Sequence, residues 1–270
     1  MHSAFYEPAG TGAFAASPAT AGPWSAQAQH GGPPSALAAR AIELHEPDEG
    51  QRLARVAVDI LRPVPVGKVT VRARAVRPGR RVALVEAIME ADGQEVLRAR
   101  GWRLALAATA PTARSEGLRG VKGLEGLPGA AEIPPEAPLP GFFDGRTAGY
   151  LSAIDWRFVS GGNFDARERA RVWARPRIPL LPGEEPSPMC RALLIADSGS
   201  GVSAVLDPAR FLFINVDLTV VLQRDPEGEW LLLDAATTIG DHGTGLAETI
   251  VSDRRRTCGR ALQTLLVAPR

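Results

Sequence analysis

The stretch Ala83–Leu106, ALVEAIMEADGQEVLRARGWRLAL, has a counterpart near the end of the chain, Gly245–Val267, GLAETIVSDRRRTCGRALQTLLV. With one small gap the two lie over each other. Leu84 and Glu86 match Leu246 and Glu248, Arg98 or Arg100 falls near Arg260, and Trp102 falls opposite Gln263. Both stretches alternate apolar and polar residues, the period of antiparallel strands with one wet face. A few identities are weak evidence of a repeat. The order of elements around them is stronger.

Upstream of the first stretch, residues 52–64 (RLARVAVDILRPV) and 68–77 (KVTVRARAVR) also alternate. Before them, residues 33–45 carry Ala36, Leu37, Ala38, Ala39, Ala41 and Ile42 on most sides of one helix, so protein wraps it. An extended N-terminal segment precedes that helix. Upstream of the second stretch the same order returns. Strand-like segments 150–159 (YLSAIDWRFV) and 168–178 (ERARVWARPRI) come first. A helix over 187–199 (SPMCRALLIADSG) follows, then strands at 210–224 and 229–239. Residues 108–147, rich in Gly and Pro and without periodicity, read as a linker. The division is 1–107, 108–147 and 148–270. An apolar helix and a sheet with one apolar face satisfy each other when the sheet curls round the helix. The expected fold class is therefore α+β, a double hotdog: two tandem hotdog units, each an antiparallel sheet wrapped around a central helix.

Composition excludes several classes of function. The 270 residues are 45% hydrophobic and 23% charged, with 31 Lys+Arg against 30 Asp+Glu, so no large field invites nucleic acid or anionic membrane. The basic run Asp253–Thr257, DRRRT, reads as a solvated hairpin turn. Two cysteines, Cys190 and Cys258, point to a reducing compartment and no metal site. The N-terminus lacks a basic n-region and an apolar h-region, and no apolar run reaches ~20 residues, so a soluble, cytoplasmic protein without a membrane span is expected. No Gly-rich nucleotide fingerprint and no Gly-x-Ser-x-Gly elbow is present.

One motif stands out from the pattern: Gln29–Pro34, QHGGPP, leading into the first helix. Proline suits a first helical turn. Two glycines let something approach the backbone closely, and a helix N-terminus attracts an oxyanion. The same residues also serve simply to shape a tight turn before a buried helix.

Residues 22–43, 61–82, 190–202, 214–235 and 262–270 together resemble the acyl-CoA thioesterase family with a double-hotdog fold, and are similar to acyl-CoA thioesterase II. The resemblance spans about residues 10–270. It implies an acyl-CoA substrate, no cofactor, and an aspartate, a threonine and a glutamine that position and activate a water. On this chain the aspartate falls on Asp197, the glutamine on Gln263, and the threonine position on Asn215. Asparagine both donates and accepts but does not reproduce a hydroxyl.

The chemistry asks for the same parts. Thioester hydrolysis needs a base within reach of a water and donors where the oxyanion forms. An acid set in the apolar run ALLIADSG is costly unless it is paired or functional. The two halves also complement one another. The first has His30, Gly31 and Gly32 but Ala39 and Ala41 where the second has Asp197. The second has Asp197 but Ser187–Pro188–Met189 at its helix start. One complete site is expected between the halves, with Gly31 and Gly32 as oxyanion donors and Gln263 and Asn215 lining the same pocket. His30 either positions the thioester or caps the turn. The fused unit is expected to pair with another copy. Two other functions fit the fold: a non-catalytic acyl-CoA binder, and a hotdog hydratase or dehydratase. The latter resembles an Asp-x-Asn-Pro-x-His pattern absent here.

Overall fold

The computed structural model describes residues 2–107, 133–136, 148–161 and 169–270; all but four residues of the expected linker lie outside them. In chain order the elements are β1 (Tyr6–Pro8), β2 (Ala13–Ala16), β3 (Ala21–Gly22), β4 (Ser25–Gln29), α1 (Gly32–Leu44), β5 (Gln51–Ile60), β6 (Lys68–Arg77), β7 (Val82–Ala91) and β8 (Gln94–Ala105). After them come α2 (Tyr150–Ala153), β9 (Ile154–Ser160), β10 (Ala170–Pro176), α3 (Pro188–Ala196), α4 (Gly199–Val202), β11 (Phe211–Asn215), β12 (Asp217–Leu222), β13 (Leu231–Ile239), β14 (Thr244–Ser252) and β15 (Thr257–Pro269).

The main sheet runs β1-β2-β6-β7-β8-β5-β12-β15-β14-β13-β10-β9, with β11 also on β15. The order has the same roles read from either end: two strands that precede a helix, three meander strands, then the strand that follows the helix. The halves join where β5 pairs antiparallel with β12, and the pairs Val56↔Val220, Ala57↔Thr219 and Val58↔Leu218 are related by a pseudo-twofold at Ala57↔Thr219. All thirteen strands therefore form one curved surface, and α1 and α3 lie against each other inside it.

The helix contact is close because the facing residues are small. Cys190 Sγ donates to the Ala36 carbonyl at 3.3 Å. Leu37 and Ile42 of α1 and Leu193, Leu194 and Ile195 of α3 are no more than 1% exposed, each contributing about 1.5–3 kcal/mol by burial. Arg103 from β8 donates to the carbonyls of Ile42, Glu43, His45 and Glu46 and so caps the C-terminus of α1.

The ladder register corrects the repeat by one residue. Leu84 pairs with Trp102 and Val85 with Gly101; Leu246 pairs with Thr264 and Ala247 with Gln263. Gly101, not Trp102, stands where Gln263 stands. Both point to the inner face, which a one-residue slip would reverse.

Three further expectations change. The second helix ends at Ala196, and α4 follows as a separate turn. The segment 150–159 begins as a helical turn, α2, because Gly149 (φ 80°) turns the chain and lets Tyr150 reach inward. The single strand expected over 210–224 is broken at Val216. Asn215↔Leu265 and Thr219↔Leu262 differ in register by one residue, which marks a β-bulge. The bulge leaves both Asn215 and Leu218 on the inner face, which an unbroken strand could not do.

The DRRRT run is a turn between β14 and β15, but its first residue is an anchor. Asp253 is 2% exposed. Arg224 grips it with two hydrogen bonds of 2.6 and 2.7 Å, and the amides of Glu227, Arg255 and Arg256 add three more. Burial opposes ionisation of this carboxyl, but those donors outweigh it and hold its pKa well below the usual range. A depressed acid contributes stability above its unfolded pKa, about 3.9, and loses it as pH falls toward the folded value. Arg224→Ala is thus expected to cost about 2–3 kcal/mol at neutral pH. The deficit should shrink below about pH 4. Urea unfolding from pH 7 to 3 checks this, and a deficit that stays flat into acid would contradict it.

Candidate active site

Asp197 is the C-cap of α3 and is 4% exposed. A carboxylate at a helix C-terminus is on the unfavourable end of the dipole, so its neighbours must supply compensation. Asn215 Nδ2 donates to Oδ1 at 2.8 Å, and Gln263 Nε2 donates to the same oxygen at 3.3 Å and to the Asp197 carbonyl at 2.9 Å. His30 Nδ1 lies 2.9 Å from Oδ2. The N-terminal end of α1 faces the carboxylate as well, with its favourable dipole end. A methyl on Gly31 would sit 2.8 and 3.0 Å from the two carboxylate oxygens.

The α1 start is unusual in its donors. Four N–H groups normally lack partners at a helix N-terminus. Pro33 and Pro34 have none to offer. The Gly32 N–H points to His30 Nδ1 at 3.2 Å. The Gly31 N–H makes no hydrogen bond among the described residues. Gly32 has a different reason to be glycine: any Cβ there would overlap the Leu194 carbonyl of α3.

Asn215 and Gln263 play different parts. Asn215, re-aimed by the β11–β12 bulge, also donates to the Asp217 carbonyl at 3.1 Å and lines the cavity. Gln263 is 1% exposed, its Oε1 accepts from Ser200 N at 3.0 Å, and it is not among the cavity-lining residues. The expectation that Gln263 lines the pocket is corrected: both ends of its amide are committed to holding the α3–α4 corner, and with it Asp197.

Residues absent from the sequence reading complete the site. Tyr150 stacks on His30, ring centroids 3.7 Å apart and planes 8° from parallel. Its hydroxyl reaches the Leu194 carbonyl at 2.7 Å and Ser198 Oγ at 2.9 Å. Burial, with the Asp197 charge adding, pushes its phenol far up, so it stays protonated. The only signal in the sequence was scarcity: the chain has two tyrosines and both are fully buried.

These groups open onto a cavity of about 550 Å³. His30, Gly31, Asp197 and Asn215 are among its polar lining residues; Trp24, Leu97, Leu151 and Phe213 are among its apolar walls. That is the usual makeup of a small-molecule site.

The pseudo-symmetric place is filled. The position along α1 that matches Asp197 is Ala41. Glu43 instead meets the start of α3, accepting from Ser187 Oγ at 2.9 Å, its carboxyl raised by burial that those contacts only partly offset. A side chain on Gly101 would strike Leu53 and Ile42. Both cysteines are free and buried, and among the described residues no group of His, Cys, Asp or Glu is placed to hold a metal ion. No helix among them is long and apolar enough to cross a membrane.

Comparison with known families gives two matches in tandem. The profile described as acyl-CoA thioesterase N-terminal domain matches residues 20–104, and that described as acyl-CoA thioesterase C-terminal domain matches residues 130–267. No curated protein matches. Among solved structures, a Thermobifida fusca protein provisionally described as a thioesterase II superposes with a TM-score of 0.70 at 18% identity, covering 98% of this chain and 96% of its own. A protein of unknown function with a hot dog fold from Alicyclobacillus acidocaldarius gives 0.70 at 17% identity over 95% and 93%. Acyl-CoA thioesterase II TesB2 from Mycobacterium marinum gives 0.61 at 15% identity over 98% and 95%. At these identities the structures support the tandem hotdog fold and nothing finer.

Proposed function

Because this chain belongs to the acyl-CoA thioesterase family, and is a thioester hydrolase, we propose that it cleaves its acyl-CoA with a water activated by Asp197. One observation carries the reading. A buried carboxylate, fixed by three side-chain donors, faces a helix start where the Gly31 amide has no partner among the described residues, and both open onto a single cavity.

A carboxylate has about four lone-pair sites. Asn215 and Gln263 occupy Oδ1 and His30 takes one site on Oδ2, so the carboxylate is held in place beside the cavity. The acyl chain lies against Trp24, Leu97, Leu151 and Phe213. The thioester carbonyl turns its oxygen to the Gly31 N–H. Water attacks the carbonyl carbon and gives up a proton, a step driven by the Asp197 charge. The oxyanion is held at the α1 start until the C–S bond breaks and free acid and CoA leave. One oxyanion donor of this kind is worth ~10²–10³ in kcat.

The test is release of free CoA from a panel of acyl-CoAs, short, long and aromatic. Hydrolysis that also depends on Asn215 supports this site. Asn215→Ala releases one oxygen of the Asp197 carboxylate, so kcat should fall about tenfold or more, with a modest loss of melting temperature from the missing hydrogen bond. Binding of acyl-CoA without CoA release would instead make the protein a binder.

A further inference from the structure

We propose that His30 is a catalytic residue, the carrier of the proton that leaves the water and arrives on the departing CoA sulfur. The proposal rests on the reading of Asp197 as the group that drives hydrolysis, and it assigns the path by which that carboxylate acts.

The argument begins at Nδ1. It has two neighbours with opposite demands: the Gly32 N–H at 3.2 Å needs a lone pair there, and Asp197 Oδ2 at 2.9 Å needs a proton. A ring nitrogen offers one or the other. The contact to the carboxylate is the shorter and is charge-assisted, about twice as strong as a neutral hydrogen bond. Beside an ionised Asp197, Nδ1 therefore carries the proton, and a neutral ring then has its lone pair on Nε2.

Nε2 is the free edge. His30 lines the cavity, and its Nε2 makes no hydrogen bond among the described residues. Stacking on Tyr150 fixes the plane of the ring, and Tyr150 is itself pinned by two hydrogen bonds. Asp197 is held in turn by Asn215 and Gln263. This is the arrangement of a base oriented by a third group, with carboxylate, ring and cavity in sequence.

The balance closes in two steps. As the water oxygen bonds to the thioester carbon, one water proton passes to Nε2, and the resulting imidazolium is stabilised by the Asp197 carboxylate. As the C–S bond breaks, its electron pair stays on sulfur and Nε2–H returns the same proton to that sulfur. Acid and thiol leave, and the ring regains its starting state with no outside proton donor. An alkyl thiol of pKa ~8.5 benefits from that donation at neutral pH.

The leaving group supplies the test. His30→Gln is assayed on an acyl-CoA and on the thionitrobenzoate thioester of the same acyl group. The nitroaryl thiol ionises below neutral pH and needs no proton to leave. On acyl-CoA kcat should fall by about 10²-fold or more, and on the aryl thioester at least about tenfold less, since only the proton donor's share is spared. His30→Ala, which empties the space beside Tyr150, should recover activity on acyl-CoA when imidazole is added. Thermal melting identifies the variant that folds as the wild type does. Equal losses on the two thioesters in that variant would overturn the proposal. A wild type that hydrolyses neither thioester would reject the Asp197 reading itself, a different outcome from a failure of His30.

Discussion

Asp197→Asn should lower kcat on acyl-CoA by ~10²–10⁴-fold, the range expected for loss of general-base action, while the melting temperature stays near that of the wild type. The fold survives because an asparagine still presents an oxygen to Asn215 Nδ2 and Gln263 Nε2, and its amide can donate to a bare His30 Nδ1. What is lost is the negative charge. Asp197→Ala separates the two effects. It leaves the donors of Asn215 and His30 without an acceptor in a buried site, at about 1–3 kcal/mol for each unsatisfied group, so it should lose stability as well as activity. Matched kinetics and melting of the two variants check this. If the asparagine variant kept both kcat and stability, Asp197 would be a helix terminus and nothing more.

Gly32→Ala should have the largest effect on stability. Its Cβ would overlap the Leu194 carbonyl, a backbone group in the last turn of α3 that has no rotamer to change. Either helix must move, and both are buried along the contact. Overpacking of this kind costs about 1–3 kcal/mol, and a backbone clash belongs at the top of that range. For a chain of this size the melting temperature should fall by roughly 5–10 °C. Gly31→Ala makes a useful contrast. Its new methyl meets the Asp197 carboxylate, the end of a side chain that can rotate away. That variant should lose activity, since rotation breaks the hydrogen bonds from Asn215 and His30, and should lose some stability with them while the two helix backbones stay in place. A Gly32→Ala protein melting within a degree of the wild type would mean that α1 and α3 are not so tightly opposed.

The adjacent glycines show how far a motif can be read. Two glycines and two prolines at a helix start announced a close approach, because no other residue permits one there. They did not say what approaches. Gly31 faces a carboxylate and Gly32 a carbonyl of another helix, and that difference lies in the packing of α1 on α3. Asn215 and Gln263 show the same limit. Both positions were named through the family resemblance. Which one lines the cavity depended on a bulge at Val216 and on the α3–α4 corner. The bulge had a trace in sequence, since the apolar parity shifts between Phe213 and Leu218, but an apolar run absorbs one extra residue without losing its pattern.

The sequence by itself determined the tandem α+β fold, because period-2 strands and an all-round apolar helix, repeated in one order, have few ways to bury their apolar faces. It also determined that one half holds the acid and the other the glycines. The tertiary structure alone decided that His30 meets Asp197, that Tyr150 stacks beneath it, and that the second place is packed shut by Ile42 and Leu53 against Gly101. Those contacts join residues more than a hundred positions apart, or fill a space by volume. Local periodicity reports which face a residue occupies; distance and volume across the pseudo-twofold arise only when the two helices are brought together against the sheet.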